Sequence, residues 1–237
     1  MAFECVSRTH VGLRRKVNED SLAVRTERGL WAVADGMGGH DAGDVASAKV
    51  VEALLGLPIV YGLDPIVESA VGALDKVNKE LIELAGSTDV DRSIGSTVVG
   101  LAIAGDDYRC FWAGDSRAYR LRGDDFVQLS RDHSLVQSLV DAGMLTPVEA
   151  LDHPNANVIT RAVGVSPELK IEIAGGDVSP GDQFILASDG MTRLVEDQEI
   201  AAELKSGSMD QAADRLIEMV LSRGAPDNAT IVIVKVQ

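Results

Sequence analysis

The sequence is short of positive charge. Its 237 residues hold 22 Lys and Arg against 37 Asp and Glu, a formal net charge of −15. A chain of that sign is repelled by nucleic-acid backbones and anionic membrane surfaces, which argues against a nucleic-acid-binding module. Cysteine is scarce as well. Cys5 and Cys110 each sit in an apolar, strand-like run and read as small buried hydrophobes in a reducing compartment. Neither is followed by an arginine at the spacing of a cysteine-based phosphate site, since Val11 and Ser116 stand there. No basic segment leads into an apolar stretch at the start. The longest apolar run, Val98 to Ala104, is far short of the ~20 residues that span a bilayer. A cytoplasmic protein without membrane insertion is expected.

What remains is an ordinary globular composition, 46% apolar and 25% charged, in a chain long enough to bury a core without disulfides. No linker or charge block divides it, so a single domain over residues 1–237 is expected. Strand-like runs fall at Phe3–Thr9, Ser21–Thr26, Leu30–Ala34, Ser96–Ala104, Tyr108–Ala113, Ala118–Arg122, Phe126–Leu129, Leu169–Ile173, Gln183–Ser188 and Ala229–Val236. Short Gly/Asp turns between several of them suit antiparallel hairpins. Helices are expected at Val45–Leu55, capped by Asp44, and at Pro65–Ala85. Two more should open at the capping boxes Thr146-Pro147-Val148-Glu149 and Ser208-Met209-Asp210-Gln211. The helices come in pairs between groups of strands, which fits sheets with helical layers outside better than a doubly wound parallel fold.

A recurrent pattern carries the chemistry: an apolar strand that ends in Asp. It appears at Asp35-Gly36, Asp115 and Asp189-Gly190, and inverted at Asp227-Asn228 before the last strand; Asn18-Glu19-Asp20 precedes the second strand. One such Asp-Gly is a turn signal. Several converging in one cleft would be costly unless cations neutralise them, and hard oxygen donors without a His/Cys cluster point to Mg²⁺ or Mn²⁺. Other phosphate motifs fail. Asp41 stands where a dinucleotide fingerprint needs its third glycine, no Lys-Ser/Thr follows a glycine loop, and Met191 replaces the second Asp of a phosphoaspartyl site.

Taken in order, Arg15-Lys16-Val17-Asn18-Glu19-Asp20, Asp35-Gly36-Met37-Gly38-Gly39-His40, Ile94-Gly95-Ser96-Thr97, Gly114-Asp115-Ser116-Arg117, Thr160-Arg161-Ala162-Val163-Gly164, Ser188-Asp189-Gly190 and Pro226-Asp227-Asn228 resemble the metal-dependent type 2C protein phosphatases, in their compact bacterial branch. The resemblance implies an α+β fold, a four-layer α-β-β-α sandwich of two mainly antiparallel sheets flanked by helix pairs. It implies Mn²⁺ or Mg²⁺ at two sites, with a third, weaker site. Asp35 would bridge the pair, Asp189 and Asp227 would complete the first site, and the Gly36 carbonyl and Asp20 would serve the second. Asp115 with Asp189 would hold the third ion, and Arg15 the substrate phosphate. Glu19, His40 and Asn228 would stand just behind these ligands.

The implied reaction is hydrolysis of phosphoserine and phosphothreonine by a water held between the metals, opposing a bacterial eukaryotic-like Ser/Thr kinase, secretion-linked kinases among them. A monomer acting on phosphoproteins is expected, and Ser134–Gly164 would be its flap. Two departures stand out: Met37 takes the place of a proposed acid histidine, and Arg193 a place where relatives carry small or acidic residues. A non-catalytic phosphoprotein-binding module with the same fold and a different two-metal hydrolase are the competing classes. Asp132-His133 reads as turn chemistry and not as a catalytic pair.

Overall fold

The structure, a computed structural model, describes residues 2–38, 42–86 and 94–237. Alternation of side chains along the strands decides the layering. In β3 (Leu30–Gly38), Trp31 and Val33 point into the space between two sheets, while Leu30, Ala32 and Ala34 face helices. The same split runs through β10 (Gln183–Ala187) and β11 (Ala229–Val236): Phe184, Leu186, Val232 and Val234 face inward, and Ile185, Ile231 and Ile233 outward. Strands buried on both faces need a cover on each side, and four layers supply it.

One sheet has the order β1-β11-β10-β7-β8, with β1 (Phe3–His10), β7 (Arg117–Arg122) and β8 (Asp125–Gln128). The other runs β2-β3-β5-β6-β9, with β2 (Asp20–Arg25), β5 (Val98–Ala104), β6 (Asp107–Ala113) and β9 (Glu172–Asp177), while short β4 (Ile94–Ser96) pairs with β3. Every pairing is antiparallel. Helices α1 (Gly43–Leu55) and α2 (Leu63–Gly86) cover the second sheet through Ala46, Val50, Leu54, Ala70, Leu74 and Leu81. The first is covered by α5 (Asp189–Thr192), α6 (Asp197–Lys205) and α7 (Met209–Ser222). Two short helices, α3 (Leu135–Asp141) and α4 (Pro147–Leu151), lie within residues 134–164.

The α-β-β-α sandwich expected from the sequence is what forms, and both capping boxes close as predicted at Thr146 and Ser208. Local corrections are few. Helix α1 starts at Gly43 with Ala42 as its cap; the Asp44 carboxylate only accepts from the Val45 N–H, so it is not the cap. The run Ser96–Ala104 divides into β4 and β5, because the Thr97 N–H leaves the ladder for the Asp35 carbonyl. The strand expected at Leu169–Ile173 forms instead over Glu172–Asp177.

Candidate active site

The antiparallel register of β2 and β3 sets Asp20 opposite Asp35. Asp35 is framed through its backbone: its N–H donates to Thr97 Oγ1 at 3.0 Å, and its carbonyl accepts from the Thr97 N–H at 2.8 Å and from Ser96 Oγ at 3.1 Å. Thr97 Oγ1 in turn lies 2.7 Å from Ser116 Oγ, so the residue beside Asp115 and the one beneath Asp35 share a hydrogen bond. From the facing sheet, Ser188 Oγ donates to Asp20 Oδ2 at 2.8 Å and accepts from the Thr230 N–H at 2.9 Å. That hydroxyl joins the two sheets at the floor of the cleft.

Backbone crowding explains two glycines. A Cβ on Gly36 would stand 1.9 Å from the Gly43 carbonyl oxygen, and one on Gly190 would stand 1.9 Å from that of Asn228. Either would push apart the segments that carry the aspartates. Asn228 itself is a staple. Its Oδ1 accepts from the Glu19 N–H at 2.8 Å, and its Nδ2 donates to the carbonyls of Val11 and Val17 at 2.9 and 3.0 Å. The loop so held carries Arg15, whose Nη2 donates to Asp227 Oδ2 at 2.7 Å.

The electrostatics are those of crowded acid. Burial pushes Asp20 up to about 7, with Asp189 and Asp227 adding to the rise and the Thr230 and Ser188 hydrogen bonds opposing it. Asp115 is likewise pushed up to about 7, by burial and then by Asp189. Asp35 lies well above the carboxylate range through burial and the charges of Asp189, Asp20, Asp115 and Asp227. Asp189 is raised by burial despite the Arg193 guanidinium at 2.9 Å. Glu19, behind this group, is raised by burial too, against the pull of Arg15 and the Gly43 N–H.

Two buried oxygens in the cluster, Asp20 Oδ1 and Asp115 Oδ1, have no hydrogen-bond partner. Leaving a buried carboxylate oxygen without a donor costs more than a typical hydrogen bond gains, so these atoms call for cations. All the donors are hard oxygens and the cluster carries surplus negative charge, which fits Mn²⁺ or Mg²⁺. Among the described residues no three His, Cys, Asp or Glu side chains already converge on one point. Arg15 holds Asp227, and Arg193 holds Asp189 and Asp115.

Of the residues singled out in the sequence, Asp20, Asp35, Asp115, Asp189 and Asp227 come within one another's field, Gly36 is buried beside Asp35, and Arg15 stands half exposed at the rim. His40 lies outside the described residues. Asp132 and His133 do diverge: Asp132 takes the fork of Arg117, while His133 Nδ1 accepts from the Gly114 N–H at 3.2 Å. Ser188, Thr97 and Ser116 escaped notice as functional groups. Each lies inside a motif quoted above, but a hydroxyl acquires its meaning from a partner that only the fold supplies.

A family model described as protein phosphatase 2C matches residues 9–228. The chain belongs to that family. It is 35% identical over 243 residues to the serine/threonine protein phosphatase PstP of Mycobacterium tuberculosis, aligning 100% of this chain with 45% of PstP. The chain thus spans under half the length of that relative. Among solved structures it is similar to PppA, a regulatory component of T6SS in Pseudomonas aeruginosa, with TM-score 0.90, 43% identity and coverage of 99% of this chain and 98% of PppA. A PstP catalytic domain in complex with two manganese ions superposes with TM-score 0.87 at 34% identity, covering 99% of each chain. No helix among the described residues is long and apolar enough to cross a membrane.

Proposed function

We propose that this chain is a Mn²⁺- or Mg²⁺-dependent phosphoserine/phosphothreonine protein phosphatase, acting as one catalytic domain over residues 1–237. The observation that carries the reading is the grouping of Asp20, Asp115, Asp189 and Asp227 around Asp35, in which Asp20 Oδ1 and Asp115 Oδ1 are buried without a donor. Family membership and the manganese-bound PstP domain support it.

Asp35, Asp189 and Asp227 would hold one ion and Asp35 with the Gly36 carbonyl and Asp20 a second, while Asp115 and Asp189, the pair that would serve a weaker third, face the Arg193 guanidinium. When bound, such a pair lowers the pKa of water and steadies charge at phosphorus during in-line attack. The protein's own groups do the rest. Arg15 spends one of its five N–H donors on Asp227, which leaves the fork to grip a phosphate dianion at the rim. The Asp227 contact aims that fork toward the carboxylates. Ser188 holds the Asp20 carboxylate from the facing sheet, and Thr97 holds the Asp35 main chain. Segment 134–164 carries exposed Met144, Val148 and Leu151, a surface suited to the residues that flank a phosphorylated side chain.

The partners that follow are phosphoproteins and the Ser/Thr kinase that modifies them, and the likeness to PppA supports a secretion-linked kinase. A cytoplasmic monomer completes the reading. The test is phosphate release from a phosphothreonine peptide with Mn²⁺, Mg²⁺ or EDTA, run beside Asp189→Asn. Metal-dependent release that disappears in the variant supports the proposal. A wild-type protein that binds phosphopeptide but never releases phosphate would be a binding module instead.

A further inference from the structure

Arg193 sits one turn beyond Asp189, close enough for its side chain to fold back over the start of α5. Its Nη2 lies 2.9 Å from Asp189 Oδ2 and 3.2 Å from Asp115 Oδ2, so one nitrogen stands between the buried Asp115 carboxylate and the partly buried Asp189 one. The same nitrogen donates to the Ala156 carbonyl at 3.4 Å, and Nη1 donates to Asn157 Oδ1. Those last two acceptors belong to segment 134–164. One guanidinium therefore neutralises the Asp115–Asp189 pair and fastens the segment above it.

The rest of that segment is anchored at its base. The Leu135 N–H donates to the Val158 carbonyl at 2.9 Å, the Thr160 N–H to the His133 carbonyl at 2.8 Å, and Arg161 to Glu172 at 2.6 Å. These bonds close the neck of the segment. The contacts of Arg193 with Ala156 and Asn157 tie it to the acidic cluster itself.

We propose that Arg193 is a tethered cation that takes the place of a metal ion between Asp115 and Asp189 and couples segment 152–160 to the cleft. A positive group favours ionisation of both, because the Asp115 side chain is 5% exposed and the Asp189 side chain 16%, and each carboxylate disfavours charge on the other. A free divalent ion would satisfy the pair but would leave Ala156 and Asn157 unattached. A planar fork does both at once, which a lysine cannot. Arg193 is thus a positioning residue: it sets where the flap rests and how many ions the cleft takes. The proposal rests on the metal-dependent reading of the cleft given above.

The test uses the intact chain with Arg193→Ala and Arg193→Lys. Mn²⁺ stoichiometry is measured by equilibrium dialysis, and hydrogen exchange is followed across residues 152–160. Wild type is expected to bind two ions. Arg193→Ala should bind a third, lost again when Asp115→Asn is added, and its flap amides should exchange about tenfold faster for the loss of hydrogen bonds worth roughly 1.4 kcal/mol. Arg193→Lys separates the two roles: it should keep the two-ion stoichiometry while exchanging as fast as the alanine variant. Three ions in the wild type, two in Arg193→Ala, or unmoved flap exchange in either variant would each overturn the assignment. Should Arg193→Ala fail to fold, exchange in the lysine variant decides alone. Neither readout depends on turnover. A wild type that binds two Mn²⁺ yet releases no phosphate therefore sinks the phosphatase reading and leaves the role of Arg193 to be judged separately.

Discussion

At one end of the first sheet, Asp182 is buried beneath a complete set of donors. Arg122 gives it Nε at 2.8 Å and Nη2 at 2.7 Å, the Ser179 N–H adds a third bond at 2.9 Å, and the remaining Arg122 nitrogen goes to Asp177 at 2.8 Å. At the other end, where β10 runs out, Asp20, Asp35, Asp115, Asp189 and Asp227 share Arg15 and Arg193, and two carboxylate oxygens have no donor. Both ends bury acid on the same scaffold. One end is balanced and serves only the fold. The other is left short of donors, and that imbalance is what the proposed divalent-cation site rests on.

The contrast can be broken most decisively at Asp35. Asp35→Asn should lower phosphate release by at least about 10³-fold, several kcal/mol of transition-state stabilisation, yet in EDTA it should melt no lower than the wild type. A marked fall in Tm in EDTA would make the acidic end structural and erase the distinction. Next in size, saturating Mn²⁺ should raise Tm by roughly 10–20 °C over EDTA, since a ligand at a hundredfold excess over Kd adds about 2.7 kcal/mol at each of two sites. Calorimetry on wild type and Asp189→Asn checks this, the variant being expected to lose most of the rise.

At the balanced end the outcome should invert. Asp182→Asn is expected to cost about 2–3 kcal/mol, below the usual figure for breaking a buried pair because the Arg122 side chain is 32% exposed. Activity per folded molecule should be retained; urea unfolding with parallel assays would show it. The smallest effect sharpens the comparison by lying outside both ends. Ser208→Ala removes the hydroxyl that accepts the Gln211 N–H at the start of α7, and should cost about 1 kcal/mol with unchanged kcat and KM.

Much of this was legible in the sequence because local rules agreed with the fold. The apolar run Leu30–Ala34 placed a strand, Thr146 and Ser208 announced their helices, and Asp after an apolar run marked the cleft, although β3 itself runs past Asp35 to Gly38. The failures have a common cause in long-range contact. Gly175 and Gly176 look unfit for a strand, yet β9 pairs there with β6: a Cβ on Gly175 would meet the Arg109 side chain at 2.7 Å, and one on Gly176 would meet the Tyr108 ring at 3.1 Å. The neighbours' bulk fills the space those glycines leave. Likewise Arg193 was visible as an unusual residue in its motif, but its span from Asp115 to Asn157 joins positions that no local pattern relates. Ser188 and Asp20 stand 168 residues apart in the chain.

The Asn228 staple has a consequence for how the molecule comes into being. It fastens the loop that carries Arg15 near the beginning of the chain to the turn that carries Asp227 near its end. On a ribosome, β2 and β3 can pair early, but the loop between β1 and β2 lacks its bonds to Ala225, Asp227 and Asn228 until those residues have emerged. The cleft is therefore completed only once β11 and the turn before it have been made, long after Asp20 and Asp35.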